Sequence, residues 1–231
     1  MQIHYLGHSA FKIVTGDAVV LFDPFLTGNP KFSGNRDAMV ADVTHVLVTH
    51  GHNDHFGDTI DILKMTGATL VSTPELCGYV ASVFGDAKTR GMNIGGTAKL
   101  GAISVSMVKA FHSSSYSAPD GRTIYGGMPT GLILKAEGKA LYHMGDTDSF
   151  GDMALINELH RPDIGIVPIG DNFTMGPDEA ALAVNRFFAF TTVIPCHYGT
   201  FGLLEQSADG FAAKVTKGRV EVMAPLSQLT V

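Results

Sequence analysis

The chain has 231 residues, of which 45% are apolar and only 16% charged, where ~25% charged is usual. That composition supports one substantial core and excludes a disordered chain, which needs high charge and few large apolar side chains. Sixteen basic against 22 acidic side chains leave a net charge of −6, which argues against a broadly basic nucleic-acid surface.

Strand-like runs of apolar and β-branched residues open the chain at Ile3–Leu6, Phe11–Thr15 and Ala18–Asp23. A strand-like run at Val43–Thr49 follows, then a helix-like segment Asp58–Met65, a strand Ala68–Ser72 and a helix Pro74–Phe84. The second half repeats this order. Strands are expected at Ile103–Ala110, Gly131–Ala136 and Lys139–Met144, a helix at Met153–His160 and a strand at Ile164–Ile169. A helix at Pro177–Phe188, a strand at Thr192–Cys196, a helix at Ser207–Lys217 and a strand at Val220–Ala224 complete the series. Pro177 suits a first helical turn, and Asp178 and Glu179 suit its positive end. Hairpins followed by strand–helix units predict sheets covered by helices, an α/β or α+β layered fold. The two halves show this order without visible sequence identity. No Pro-rich or polar tract marks a linker, so a single domain over residues 1–231 is expected.

No run approaches the ~20 apolar residues of a membrane-spanning helix. The opening Met1-Gln2-Ile3-His4-Tyr5 lacks the basic start and apolar run of a signal peptide. The two cysteines, Cys77 and Cys196, lie too far apart in sequence to suggest a disulfide framework. A cytoplasmic protein that does not engage a membrane is expected; an oligomer of identical chains is compatible with so little charge.

Ten histidines are present, and they are unevenly distributed. Thr49-His50-Gly51-His52-Asn53-Asp54-His55 holds three imidazoles and a carboxylate just past a predicted strand. His50 and His52, two residues apart, point to one side if the chain stays extended. Asp54 and His55 lie beyond a turn and reach an adjacent position, with Gly51 permitting the tight backbone. Neutral imidazoles and carboxylates suit zinc, manganese or iron. Three more strands each deliver a donor just past their ends: His112 after Ile103–Phe111, Asp146 after Ala140–Gly145, and His197 after Thr192–Cys196. Rigid strands hold ligands well on short loops, so a site with two divalent metal ions is the leading reading.

With these residues in view, the sequence resembles the metallo-β-lactamase superfamily over essentially its whole length. His50-x-His52-x-Asp54-His55 matches the central signature, and His112, Asp146 in Gly-Asp-Thr and His197 match the later ligands in order. Gly7-His8-Ser9, Asp23-Pro24-Phe25, Asn172-Phe173-Thr174-Met175-Gly176 and Pro195–Phe201 resemble a narrower group of small metal-dependent hydrolases related to ascorbate-6-phosphate lactonases. The resemblance implies a four-layer αββα sandwich with the metals at one edge. It also implies that His50, His52 and His112 hold one ion, that Asp54, His55 and His197 hold the other, and that Asp146 bridges them. Metals ~3.5–4 Å apart share a hydroxide and clamp substrate oxygens. Attack of that hydroxide on a lactone, ester, amide, phosphodiester or isothiocyanate-like molecule is therefore expected, with Asp54 orienting it. A nuclease or a non-catalytic metal-binding sensor on the same fold remain the alternatives. His52 where flavodiiron members carry glutamate, and Asp146, which true β-lactamases usually lack, argue against those two branches.

Outside this set, Asp23 either supports a ligand histidine or caps a strand end. His8 either lines the pocket or is structural, and His143, inside a strand, is expected to support the site or sit in the core. Asn172 and Thr174 either contact substrate or serve turn chemistry. Cys196 precedes His197, and adjacent side chains of an extended segment face opposite ways, so it is expected in the core. His4, His45 and His160 have no supporting context.

Overall fold

A computed structural model describes residues 1–231. The first half runs β1 (Gln2–Gly7), β2 (Ala10–Thr15), β3 (Ala18–Phe22), α1 (Arg36–Val40), β4 (His45–Leu47), α2 (Asn53–Phe56), α3 (Thr59–Thr66), β5 (Thr69–Ser72), α4 (Pro74–Val83) and β6 (Lys88–Gly91). The second runs β7 (Thr97–Leu100), β8 (Ile103–Lys109), β9 (Ser115–Ser117), β10 (Thr123–Tyr125), β11 (Thr130–Ala136), β12 (Lys139–His143), α5 (Met153–His160), β13 (Ile164–Pro168), α6 (Pro177–Phe187), β14 (Thr192–Cys196), α7 (Asp209–Ala212), β15 (Arg219–Val220) and β16 (Gln228–Thr230).

Two seven-stranded sheets result, ordered β16-β1-β2-β3-β4-β5-β6 and β15-β14-β13-β12-β11-β8-β7. Each begins with antiparallel hairpins and turns parallel halfway, at β3–β4 in one and β12–β13 in the other. Parallel neighbours need crossovers, and helices supply most of them. The repeated order legible in the sequence is thus a repeated sheet plan.

The layers follow from which faces are apolar. Ile3, Phe11, Ile13, Val20 and Phe22 of the first sheet pack against Val105, Leu132, Leu134, Leu141 and Ile194 of the second. The outer face of the first sheet, with Leu21, Val46 and Leu70, takes Phe56 of α2, Ile62 and Leu63 of α3 and Leu76 of α4. The outer face of the second, with Ile133, Tyr142 and Val167, takes Met153 of α5, Val184 of α6 and Phe211 of α7. Strands buried on both faces read as continuous apolar runs, and fully burying one such large side chain contributes about 1.5–3 kcal/mol. This is the expected αββα sandwich.

The expected elements that differ are peripheral. The helix expected over Ser207–Lys217 is only the single turn α7, and the strand expected over Val220–Ala224 reduces to β15. Near α7, Asn185 holds the chain in a loop by bonding Lys214 O and Thr216 N, each at 2.8 Å. The sequence reading did not include β6, β7, β9, β10, β16, α1 or α2. β6, with sequence Lys-Thr-Arg-Gly, is exposed along its whole length at a sheet edge. An edge strand carries charge rather than alternating apolar residues, so it leaves little pattern to read.

Candidate metal centre

The ends of β1, β3, β4, β8, β12 and β14 deliver their following loops to one edge of the sandwich. Beyond β4 the chain stays extended, with Val48 N donating to Val71 O at 3.1 Å. This aligns His50 and His52 on one side, His50 Nε2 lying 3.1 Å from His52 Nδ1. His52 then leads into the single turn α2, which carries Asp54 and His55. Gly51 is needed for close approach rather than for a turn: a Cβ there would lie 3.1 Å from the Ser115 carbonyl carbon and 3.3 Å from Leu76. Its N–H donates to Ser114 Oγ at 3.1 Å, which ties the loop to β9.

Each donor from the second half arrives on a separate loop. His112 Nε2 comes within 3.3 Å of His52 Nδ1, completing a three-nitrogen cluster with His50. Asp146 Oδ1 lies 3.2 Å from His55 Nε2. Its Oδ2 lies 3.0 Å from His197 Nε2, 3.6 Å from His112 Nε2 and 3.9 Å from His50 Nε2. His197 Nε2 also stands 3.7 Å from Asp54 Oδ2. All seven residues singled out as ligands therefore come together.

The residues fit a cation. His50, His55, Asp146 and His197 are buried. Yet His55 Nε2, Asp146 Oδ1 and His197 Nε2 lack any aligned hydrogen bond despite their proximity. Buried polar atoms left in this way are uncommon, and lone pairs converging at such distances suit a shared cation. Electrostatics agree. Burial pushes His50 well below the usual imidazole range and outweighs the help of Asp146. For His197 burial also favours the neutral form, but contact with Asp146 and Asp54 outweighs it and raises the ring to about 9. Asp146 is held well below the usual carboxylate range: burial works against ionisation, and His197 and His55 overcome it.

A supporting shell sets the tautomers. Asp23, fully buried, accepts from Thr49 N at 2.8 Å and Thr49 Oγ1 at 2.7 Å, and pairs with His55 Nδ1 at 2.8 Å. That leaves the His55 Nε2 lone pair facing inward. Because Thr49 Oγ1 gives its proton to Asp23, it is free to accept from His50 Nδ1 at 3.0 Å, which turns His50 Nε2 inward as well. His8 is buried between Thr200 Oγ1 at 3.0 Å and Asp54 Oδ2 at 3.1 Å, with its ring 4.1 Å from that of His197. His8, Asp23, Asp171, Asn172 and His197 all have positive φ, and strained backbone of this kind concentrates at functional sites.

Other residues named from sequence lie elsewhere. Thr174 Oγ1 accepts from Gly170 N and donates to Met175 O, both at 3.2 Å, closing its own loop. Asn172 is exposed, with its amide N–H bonded to Asp171 Oδ1 at 2.8 Å. The residue of that loop lining the cavity beside the donors is Phe173, joined by Ser113 from the loop after β8. Neither was singled out from sequence, since an aromatic or a serine in a loop carries no ligand signal. Thr49 and Thr200, which orient His50 and His8, were also missed. His143 Nε2 donates to Ser9 O at 3.0 Å, its Nδ1 accepts from Gly145 N at 3.1 Å, and the ring stacks on Phe22 beneath the site. Cys196 is buried between the sheets. His45 bonds the neighbouring Thr44 at 2.9 Å, away from the centre.

A family model described as the Beta-lactamase superfamily domain matches residues 2–197. A metal-dependent hydrolase of Mesorhizobium japonicum is 49% identical over 227 residues, covering 97% of each chain. Another, from a Chelativorans species, is 51% identical over 228 residues with the same coverage. Among solved structures, Igni18, a metallo hydrolase of the hyperthermophilic archaeon Ignicoccus hospitalis, is 34% identical with a TM-score of 0.86, covering 99% of this chain and 97% of that one. The chain belongs to the beta-lactamase superfamily and, within it, to the metal-dependent hydrolases that these relatives represent. No helix is long and apolar enough to cross a membrane.

Proposed function

We propose that this enzyme is a dinuclear hydrolase of a small-molecule electrophile, acting as one domain in the cytoplasm. His50, His52 and His112 would hold one divalent ion, Asp54, His55 and His197 the other, with Asp146 shared. The observation that carries this reading is Asp146 itself: its two oxygens lie 3.2 Å from His55 and 3.0 Å from His197, with His112 at 3.6 Å. An imidazole-rich set suits zinc, and a carboxylate-containing pair also accepts manganese or iron. When bound, such ions would polarise a carbonyl or phosphoryl oxygen of the substrate and let water ionise near neutral pH.

The chain's own groups have separable tasks. Asp23 and Thr49 hold the outer nitrogens of His55 and His50, so both rings keep one orientation. Asp54, part-exposed to the cavity, is kept ionised: burial opposes this, but His197 and His8 outweigh it. It orients the attacking water by accepting its hydrogen bond. The buried, unpaired Cys77 and Cys196 are consistent with a reducing compartment.

The test begins with protein purified without chelators. Metal content is measured by plasma mass spectrometry, and ester, lactone and phosphodiester turnover is followed through chelation and metal return. About two ions per chain, with turnover lost and restored, are expected. Protein that neither retains nor takes up metal sinks the reading.

A further inference from the structure

One aromatic side chain stands among the polar donors. Phe173 lines a cavity of about 360 Å3 together with His52, His112, Ser113 and Asp146, and it is 52% exposed. No lysine or arginine lines that cavity. An apolar ring held in water beside polar groups gains free energy only when another apolar group covers it.

The loop that carries the ring is held firmly. Asp171 and Asn172, with φ of 57° and 51°, occupy the left-handed region one after the other, a strained arrangement that persists only where the surroundings impose it. Met175 N donates to Thr147 O at 3.1 Å, fixing one end of the loop beside Asp146. At the other end Gly170 O accepts from Glu205 N at 2.8 Å. Gly170 lies so close under His197 that a Cβ there would fall 2.2 Å from the His197 carbonyl oxygen. Asp171 N closes the loop on Met175 O at 3.1 Å. The tip residue, Phe173, is thus tied at both ends to the segments that carry Asp146 and His197, and its position relative to the centre is set by backbone contacts.

We propose that Phe173 is the specificity element of this centre: it covers an uncharged apolar or aromatic group next to the reacting carbon. The substrates are then neutral alkyl- or aryl-substituted acyl compounds, such as esters and lactones, rather than sugar phosphates or nucleotides. This rests on the hydrolase reading above. No cationic side chain lines the cavity to recognise a phosphate or carboxylate there, whereas the ring offers a surface to an apolar substituent.

Hydroxamates with a constant metal-binding head and a varied tail test this by calorimetry on the zinc-loaded protein. Benzohydroxamate is expected to bind roughly 5-fold tighter than acetohydroxamate, the range of one aromatic contact. In Phe173→Ala that ratio falls below about 2-fold, while Phe173→Leu keeps most of it. 4-Carboxybenzohydroxamate gains nothing over acetohydroxamate, and the kcat/KM ratio of phenyl to methyl acetate follows the same order. Zinc content and melting temperature serve as folding controls. A benzo-to-aceto ratio equal in the parent and Phe173→Ala overturns the proposal, as does equal binding of the carboxylated ring. If zinc and hydroxamates bind without tail preference, only this proposal fails. If neither zinc nor any hydroxamate binds, the hydrolase reading fails and takes this one with it.

Discussion

The two halves of the molecule share a sheet plan but supply the centre differently. In the first half, one short loop after β4 carries four donors, His50, His52, Asp54 and His55, and Asp23 after β3 braces it. In the second half, three strands, β8, β12 and β14, supply one donor each: His112, Asp146 and His197. The first arrangement is held by local geometry, an extended stretch followed by a single helical turn. The second is held by sheet register, which sets β12 and β14 on either side of β13, and by bonds between loops, as where Phe111 N donates to Thr147 Oγ1 at 3.0 Å and His197 N to His8 O at 3.0 Å. The concentrated half can assemble most of a cluster by itself; the dispersed half can only complete one.

That contrast is open to direct tests. The largest effect is expected at Asp146, the donor from the dispersed half that meets donors of both. Asp146→Ala leaves His55 and His197 without the carboxylate between them. Turnover should fall by roughly 1000-fold or more, with loss of bound metal by mass spectrometry, as when a unit acting together loses a member. Retention of both metal and turnover would show that the two halves are held together some other way. Next comes Asp23→Asn in the concentrated half, which keeps the shape but no longer fixes the His55 tautomer. Metal affinity should drop by ~10–100-fold, measured by competition with a chromophoric chelator; an unchanged affinity would leave the supporting carboxylate without a role.

A smaller effect concerns pH in the chelated protein. Burial alone favours neutral His197, but Asp146 raises the ring from 6.5 to about 9. A raised imidazole stabilises the fold fully below about 6.5 and loses that contribution as pH climbs through about 9. His8 is lowered to about 4, by burial first and the neighbouring His197 next, so it costs stability as pH falls from 6.5 toward 4. The melting temperature of the chelated protein should therefore peak near pH 6.5 and fall by a few degrees toward pH 9. Zinc-loaded protein should lose the alkaline fall, because liganded imidazoles are already neutral. Identical scanning-calorimetry profiles with and without zinc would contradict this. The smallest effect is expected from Thr200→Val, which removes the oxygen paired with His8 Nδ1. A loss of roughly 3- to 10-fold in kcat/KM with unchanged metal content fits a His8 that only steadies Asp54.

Much of the centre was legible because its donors follow strands, and strands of apolar and β-branched residues announce themselves. His50, His52, Asp54 and His55 stand in one run of six residues, so spacing alone marks them. His112, Asp146 and His197 needed the additional observation that each closes a strand. His8 and Asp23 could only be held open between support and incidental placement, since a tight turn reads the same whatever its side chain touches. In the structure Asp23 meets Thr49 and His55, and His8 meets Asp54 and Thr200. In the Asn172–Thr174 loop the polar neighbours drew notice, yet consecutive left-handed residues turn Phe173 toward the cavity.

Alternating and continuous apolar runs determined the strands, the helices between them and hence the layered class, because burial selects period and face over a few residues. A single dense run of imidazoles determined that a metal chemistry was present. Only the tertiary structure decided that strands distant in sequence end at one edge, that Asp146 lies between two groups of nitrogens, and which outer nitrogens Asp23, Thr49 and Thr200 engage. Those outcomes depend on distances between loops far apart in sequence, and sheet register with contacts between loops, not local propensity, sets such distances.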